Sequence, residues 1–186
     1  LIIFAYLLST WYFAQPIPAL SYALIVSIGY GLVGLVDDFI IVVAKRPLGL
    51  RARHKLVAQV ILALLLALFA VSNPDLGPRT IIPFTGTYWV LNPLVYIIGV
   101  VFVVVGTANA VNLTDGLDGL AAGLTAIAAF AYALLALFLN HSELSVFAGA
   151  LTGACLGFSW FNSHPAQVFM GDTGSLGLGG AVAALS

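Results

Sequence analysis

The chain has 186 residues, of which 62% are hydrophobic and 7% are charged, and its formal net charge at pH 7 is −1. Soluble domains carry about 25% charged residues, so this composition and a mean hydropathy of +1.12 exclude a water-soluble globule and a disordered chain. The small net charge gives no field for nucleic acid and the single cysteine cannot form an internal disulfide, which leaves a polytopic membrane protein.

Seven apolar segments follow one another along the chain, and a helix needs about 20 mainly apolar residues to cross a bilayer. The first, residues 1–14, is short and is ended by Pro16 and Pro18. The longer segments are residues 21–43, 56–71, 91–106, 120–139 and 144–161, and residues 174–185 begin a seventh span. These segments predict an all-α fold, a polytopic transmembrane helical bundle that forms one domain over residues 1–186. Because the chain opens on Leu1 inside an apolar run, we expect a longer protein with both ends missing here.

The basic residues orient the predicted bundle. Five of the six Lys and Arg residues lie in the loop between the second and third spans, namely Lys45, Arg46, Arg51, Arg53 and Lys55. Positive residues in short loops mark the cytoplasmic side of a membrane. The functional interpretation of this loop is that it attracts phosphate groups, and the structural alternative is that the positive-inside bias alone accounts for its charges. Counting spans from this loop places residues 109–119 and 162–173 on the cytoplasmic side and residues 15–19, 72–90 and 140–143 outside.

The same topology collects acidic residues on the cytoplasmic side. Five of the seven acids fall there, namely Asp37, Asp38, Asp115, Asp118 and Asp172, whereas Asp75 and Glu143 fall outside. Two carboxylates about 4 Å apart repel by about 4 kcal/mol at an effective dielectric of about 20, so converging carboxylates need a counter-charge. Oxygen ligands favour magnesium or manganese, and magnesium is usually completed by substrate phosphates. The acids therefore predict a cation site with a phosphorylated substrate.

Asp37 and Asp38 lie near the carboxyl end of the second span, where the helix dipole disfavours a negative charge. Ionisable groups at membrane depth usually mark function. The structural alternative is an interfacial stop signal that Lys45 and Arg46 balance. Small residues in the same span, and in the seventh, are expected to pack helices; they are Gly29, Gly31, Gly34, Gly177, Gly179 and Gly180.

Residues 109–119 form the most informative polar segment. Thr114 or Asp115 can cap the fifth span, but capping explains one aspartate, whereas Asp115 and Asp118 are three residues apart and are expected on one helical face. In the segment before the seventh span, Asp172 lies between glycines, which suits a phosphate and cation site at a helix start. The structural alternative there is a turn with Thr173 or Ser175 as the N-cap. His164 is expected to be a loop residue and Cys155 an inert packing residue.

Three stretches resemble one known family. They are Val-Asp-Asp-Phe at 36–39, Asn-Ala-Val-Asn-Leu-Thr-Asp-Gly-Leu-Asp-Gly-Leu at 109–120 and Phe-Met-Gly-Asp-Thr-Gly-Ser-Leu at 169–176. Together and in this order they resemble the polyprenyl-phosphate N-acetylhexosamine-1-phosphate transferases over essentially the whole chain. The second stretch is most similar to the bacterial members that transfer phospho-N-acetylmuramoyl-pentapeptide.

The resemblance implies a multi-pass enzyme of ten helices in the bacterial cytoplasmic membrane, of which this chain supplies helices two to eight. It implies an active site that faces the cytoplasm, a requirement for magnesium, and a homodimer. The implied reaction transfers phospho-N-acetylmuramoyl-pentapeptide from its UDP carrier to undecaprenyl phosphate, giving lipid I and UMP. The family's histidine-rich cytoplasmic loop would lie beyond Ser186. That loop would be the best local test of whether the transferred sugar is the muramoyl one.

The resemblance also implies roles for the charged residues. Asp37 and Asp38 would handle the lipid phosphate, one as its base or as a nucleophile in a two-step reaction, and Asp115 would lie beside the diphosphate and the ribose. Asp172 would be the principal magnesium ligand and Asn112 another. The residues implied to bind substrate are Lys45 and Lys55 at the phosphates, Asn109, and a uridine pocket of Gly116, Leu117, Asp118, Asn162 and Phe169. In that pocket Phe169 would stack on uracil and Asp118 would accept a hydrogen bond from it.

Three other functions remain open on the sequence. A polyprenyl-phosphate N-acetylglucosamine-1-phosphate transferase differs in the sugar that it accepts from UDP. A cation-coupled transporter would use intramembrane aspartates near the bilayer midplane, whereas these aspartates fall at the cytoplasmic ends of spans. A scaffold that docks soluble partners gives no reason for converging carboxylates.

Overall fold

The computed structural model describes residues 1–46, 48–73, 77–81 and 87–186. Within these ranges the chain forms seven helices and one antiparallel hairpin. In chain order they are α1 (Ile2–Phe13), α2 (Pro18–Val42), α3 (Ala52–Ser72), β1 (Arg79–Ile81), β2 (Tyr88–Val90), α4 (Pro93–Thr114), α5 (Leu120–Phe138), α6 (Ser142–Asn162) and α7 (Gly171–Leu185).

Five of the described helices, α2 to α6, are long and apolar enough to cross a membrane, and α1 is apolar but shorter. The predicted all-α polytopic bundle is therefore confirmed. Pro18 and Pro93 stand in the first turns of α2 and α4, where the N–H that proline lacks would have no helical partner. The hairpin was not predicted; it pairs Arg79 with Val90 in the loop between α3 and α4. Asp75, expected outside the membrane, lies outside the described residues.

Helix α7 lies at the centre of the bundle, because every residue from Gly174 to Ala183 is buried. Its small side chains let neighbouring backbones approach closely, as glycines do at membrane helix interfaces. A Cβ on Gly179 would lie 2.6 Å from the Cα of Ala108 in α4, and one on Gly180 would lie 2.9 Å from the Cβ of Tyr30 in α2. The packing role predicted for the glycines of α2 and α7 is thus confirmed.

Buried polar contacts join α7 to its neighbours. Ser27 in α2 donates a hydrogen bond of 3.0 Å to the carbonyl oxygen of Gly177, and its hydroxyl also bonds Tyr6 in α1. Cys155 is fully buried in α6 and packs in the apolar core, as predicted. At one end of the bundle, the backbone N–H of Gln15 donates to Glu143 at 2.6 Å. The polar motifs all meet at the other end, which we call the basic end because it carries the loop with Lys45.

The predicted position of the aspartate pair is confirmed, because Asp37 and Asp38 lie near the end of α2, which ends at Val42. Helix α4 extends into the polar segment 109–119 and ends at Thr114. Two local predictions for the turn that follows were wrong. Neither Thr114 nor Asp115 caps α5: Gly119 stands there with a left-handed φ of 75°, and Asp115 instead ends α4. Asp115 and Asp118 therefore lie in a turn between helices and do not share a helical face.

Candidate active site

Asp172 lies in the first turn of α7 and is held from two other helices. The ammonium of Lys55 in α3 donates to its Oδ2, and the side-chain amide of Asn112 in α4 donates to its Oδ1 at 2.9 Å. The same amide of Asn112 donates to the hydroxyl of Ser175 at 2.8 Å. Charge-assisted hydrogen bonds of this kind are stronger than neutral ones. Three helices therefore converge on one carboxylate at the basic end.

Asp38 in α2 closes the N-terminus of α7. Its Oδ1 accepts from the backbone N–H of Asp172 at 3.1 Å, and its Oδ2 accepts from the backbone N–H and the hydroxyl of Thr173 at 2.8 and 2.5 Å. The first N–H groups of a helix have no partner within the helix, and a carboxylate there also meets the positive end of the dipole. Thr173 and Ser175, expected as the N-cap, do not cap this helix, because the cap comes from another helix.

Asp37 lies next to Asp38 and is only 6% exposed. Its Oδ1 accepts from the backbone N–H of Leu50 at 2.7 Å, and its Oδ2 lies 3.9 Å from the ammonium of Lys55. Gly49 passes this carboxylate with a φ of 54°, and a Cβ there would lie 2.7 Å from Oδ1. Asp37 therefore ties the loop after α2 to Lys55 and so to Asp172.

Asp115 faces this cluster from the turn after α4. Partial burial, and then the negative charges of Asp172 and Asp38, raise the pKa of its carboxyl from 3.8 to about 6. Four carboxylates, those of Asp37, Asp38, Asp115 and Asp172, thus lie in one cluster with excess negative charge. In the described part of the chain, Lys55 is the one ammonium in salt bridges with this cluster, and it contacts two of its members, Asp37 and Asp172. The pKa of the Asp115 carboxyl is therefore raised first by burial and then by the neighbouring negative charges.

This excess gives a stability prediction for Asp115→Asn. A carboxyl whose pKa is raised on folding destabilises the folded protein once it ionises, so its cost develops as the pH rises from about 4 to about 6 and remains above that. We therefore expect Asp115→Asn to melt a few degrees above wild type at about pH 7.5 and together with it at about pH 3.5, below both pKa values. Thermal unfolding of the full-length protein in detergent measures both.

Asp118→Asn is the matched control with the opposite sign. A hydrogen bond from the backbone N–H of Ala166, and then the contact with His164, lower the pKa of the Asp118 carboxyl. Its ionised form stabilises the fold above pH 4, so removing the charge should lower the melting temperature at neutral pH. A neutral-pH melting temperature of Asp115→Asn below that of wild type would contradict the account of Asp115.

A second group of contacts orders the loop between α6 and α7. Asp118 Oδ2 accepts from the backbone N–H of Ala166 at 3.1 Å and lies 3.0 Å from Nδ1 of His164. Asn162, 3% exposed, accepts from the backbone N–H of Gly119 at 3.1 Å and donates to the carbonyl oxygen of Val168 at 2.8 Å. This loop therefore docks on the turn before α5. His164 is the loop residue that was predicted.

The remaining predicted residues fall into two groups. Gly116, Leu117 and Phe169 are exposed beside the docked loop, and Lys45 is exposed in the loop after α2. Asn109 instead lies between α3 and α4, where its side-chain amide donates to Gln59 at 2.6 Å. Sequence reasoning missed Gln59, although an amide inside an otherwise apolar span is a signal in itself.

The side-chain oxygen atoms of Asp172 and Asn112 are of the kind that a magnesium ion takes as ligands. Among the residues that the structure describes, no group of three or more His, Cys, Asp or Glu side chains could hold a metal ion. Magnesium does not need such a group, since one or two carboxylates, waters and substrate phosphates usually suffice. Asp172 has carboxylate oxygens and Asn112 has an amide oxygen, and the two side chains are held together by a hydrogen bond from the amide nitrogen of Asn112. The excess of carboxylates supplies the charge that a cation would neutralise.

Comparison with known proteins gives one family and many relatives. The model of the family described as glycosyl transferase family 4 matches residues 20–186. A phospho-N-acetylmuramoyl-pentapeptide-transferase of Thermoanaerobacter sp. (strain X514) is 49% identical over 179 residues, which are 96% of this chain and 56% of that protein. A protein with the same name from Caldanaerobacter subterraneus subsp. tengcongensis is 54% identical over 159 residues, which are 86% of this chain and 49% of that protein. Another from Moorella thermoacetica is 51% identical over 178 residues, which are 96% of this chain and 56% of that protein. The chain spans about half the length of these curated relatives.

Proposed function

The chain belongs to glycosyl transferase family 4, and from this membership and the carboxylate site we propose that the protein transfers phospho-N-acetylmuramoyl-pentapeptide from UDP to undecaprenyl phosphate, giving lipid I and UMP. The observation that carries the proposal is the hold of Lys55 and Asn112 on the carboxylate of Asp172, with Asp38 bonded to the same helix start. The names of the relatives, which are 49%, 54% and 51% identical to this chain over the aligned residues, support the muramoyl sugar.

The proposed reaction is a phosphoryl transfer. An oxygen of the lipid phosphate forms a bond to the phosphorus next to the sugar, and the bond from that phosphorus to the bridging oxygen breaks, so that UMP leaves with the electron pair. Such reactions depend mainly on positioning and charge neutralisation. Lys55 neutralises phosphate charge, and Lys45 adds a second cation from the loop after α2.

The three aspartates Asp37, Asp38 and Asp115 have different proposed roles. Asp37 faces Lys55 with its Oδ2, so it is the proposed base for the lipid phosphate or the nucleophile of a two-step route. Asp38 has three donors on its two oxygens, and it holds the start of α7 beside the reacting phosphates. Asp115 would lie beside the diphosphate and the ribose.

The proposed cofactor is magnesium, with manganese as its substitute, and Asp172 and Asn112 would hold it. When bound, the ion supplies neutralisation and alignment of the diphosphate. The hydrogen bond from Nδ2 of Asn112 to Oδ1 of Asp172 already holds these two side chains close together, which lowers the entropy cost of assembling the site.

The proposed uridine pocket lies at the docked loop. Phe169 offers an exposed ring for stacking on uracil, and Asp118 offers an acceptor. Gly116 and Leu117 form the adjacent backbone, and Asn162 holds this turn to the loop through its two hydrogen bonds.

The proposed location is the bacterial cytoplasmic membrane, with the site facing the cytoplasm. Five of the six Lys and Arg residues lie in the loop between α2 and α3 or in the first turn of α3, at the same end as the carboxylates, and such residues are retained on the cytoplasmic side. The proposed partners are UDP-N-acetylmuramoyl-pentapeptide, undecaprenyl phosphate and a second copy of the protein.

A UMP-release assay tests the proposal. The full-length protein in detergent, with undecaprenyl phosphate and magnesium, is expected to release UMP from UDP-N-acetylmuramoyl-pentapeptide and not from UDP-N-acetylglucosamine. Chelation by EDTA is expected to abolish the release, because four carboxylates would then repel the incoming diphosphate, and added magnesium should restore it. Release from UDP-N-acetylglucosamine alone would identify the other sugar, and release from neither would end the transferase proposal.

A further inference from the structure

Gln59 is the only polar side chain between Lys55 and Ser72, and it is 1% exposed. Its Oε1 accepts from Nδ2 of Asn109 at 2.6 Å, and its Nε2 lies 3.5 Å from Oδ1 of Asn109. A buried amide without a partner is costly, and these two amides satisfy each other across the interface of α3 and α4. Asn109 also donates to the carbonyl oxygen of Val105 at 2.8 Å, which directs its side chain along α4.

Each member of the amide pair lies about one helical turn from a residue that donates to the carboxylate of Asp172. Lys55 precedes Gln59 by four residues on α3, and Asn112 follows Asn109 by three residues on α4. Each amide therefore shares a helical face with a residue that donates a hydrogen bond to Asp172. Lys55 and Asn112 donate to opposite oxygens of that carboxylate. The rotation and register of α3 against α4 therefore decide whether both donors reach it.

A third helix is tied at the same point. The hydroxyl of Tyr30 in α2 donates to the backbone carbonyl oxygen of Gln59 at 2.9 Å, and Tyr30 is fully buried. Because α2 also carries Asp38, the turn of α3 around Gln59 is held to both of the helices that contribute to the start of α7.

We propose that Gln59 and Asn109 form a positioning pair that sets α3 against α4, so that Lys55 and Asn112 meet Asp172 in the geometry that phosphoryl transfer needs. This inference rests on the proposed function. Hydrogen bonds between membrane helices contribute modestly to stability, whereas a small misplacement of catalytic groups lowers a rate strongly. Asn109 acts in this account through Asn112 and does not touch the substrate.

Exchange of the two amides tests the pair. Gln59→Asn leaves the amides one methylene too far apart, Asn109→Gln makes them one methylene too long, and the double exchange restores the total length. We expect each single variant to lose about 10-fold or more in kcat for UMP release, with KM for the UDP substrate within about twofold of wild type. The double exchange should return kcat to within about threefold of wild type.

Ile61→Ala is the control, because Ile61 lies on the exposed side of α3 close to the same turn, and it should leave kcat unchanged. Thermal unfolding in detergent is measured in parallel, and the single variants should melt within a few degrees of wild type. The single variants are assessed independently, so if one does not fold, the other is compared with the double exchange. The positioning role of Gln59 and Asn109 would be contradicted by single variants that keep the wild-type kcat. It would also be contradicted by a double exchange whose kcat is no higher than that of the less active single variant. A wild-type protein that releases no UMP would instead end the proposed function.

Discussion

Asp172→Asn is expected to lower UMP release by about 10³-fold, the size of effect that follows loss of one preorganised electrostatic contact in an active site. Asparagine keeps the shape of the side chain but removes the negative charge, so one oxygen becomes an N–H donor that faces the ammonium of Lys55 or the amide of Asn112. The ion pair is lost, and the proposed magnesium ligand loses its negative charge. The start of α7 should stay in place, because Asp38 bonds the backbone N–H of residue 172 and not its side chain.

Initial rates of UMP release, measured over a range of magnesium concentrations, check this prediction. Glu143→Gln is the matched control: it makes the same change from acid to amide at the far end of the bundle, where Glu143 accepts from the backbone N–H of Gln15. The control should keep the wild-type rate. An Asp172→Asn protein with full activity would remove Asp172 from the proposed site.

Gly34→Ala is expected to separate α2 from the start of α7. A Cβ on Gly34 would lie 2.6 Å from the backbone nitrogen of Thr173 and still closer to the carbonyl group of Asp172. Both neighbours are backbone, so no side chain can rotate away. Overpacking typically costs about 1–3 kcal/mol, and a contact with backbone belongs at the upper end.

Two measurements follow the Gly34→Ala variant. At about 2–4 °C per kcal/mol for a chain of this size, the melting temperature in detergent should fall by about 10 °C. The protein that remains folded should release UMP about 100-fold more slowly, since a displacement of about 1 Å is enough to cost that much. The reason is that Gly34 precedes Asp38 by one helical turn, so the contact that a Cβ would push apart is the one that brings α7 to the Asp38 carboxylate.

Gly106→Ala in α4 is the control for this variant, because a Cβ at Gly106 meets no atom within 4 Å. Alanine also favours a helix over glycine, so the control should melt at or slightly above the wild-type temperature and keep its activity. An unchanged melting temperature for Gly34→Ala would contradict the close approach of the two helices.

The sequence alone predicted the helices and the end of the bundle at which the site lies. The segment containing Asp37 and the segment containing Asp172 were assigned to one side by counting spans from the basic loop, and Asp38 and Thr173 do meet there. This assignment is possible because the length of an apolar run and the sign of a loop charge are local properties, and they determine how the chain inserts and orients in a bilayer. The hairpin of β1 and β2 escaped prediction, since three-residue strands carry little periodicity.

Only the tertiary structure decided which donor meets which acceptor. The sequence offered Thr173 or Ser175 as the cap of α7, whereas the cap is Asp38, and no spacing rule joins residues 134 positions apart. Nor does any spacing rule predict that Asn109 pairs with Gln59, as it does in the structure. Such pairings depend on how far each helix is rotated about its axis and how closely it packs. Contacts of small residues such as Gly34 set both quantities, and they form only when distant segments of the chain come together.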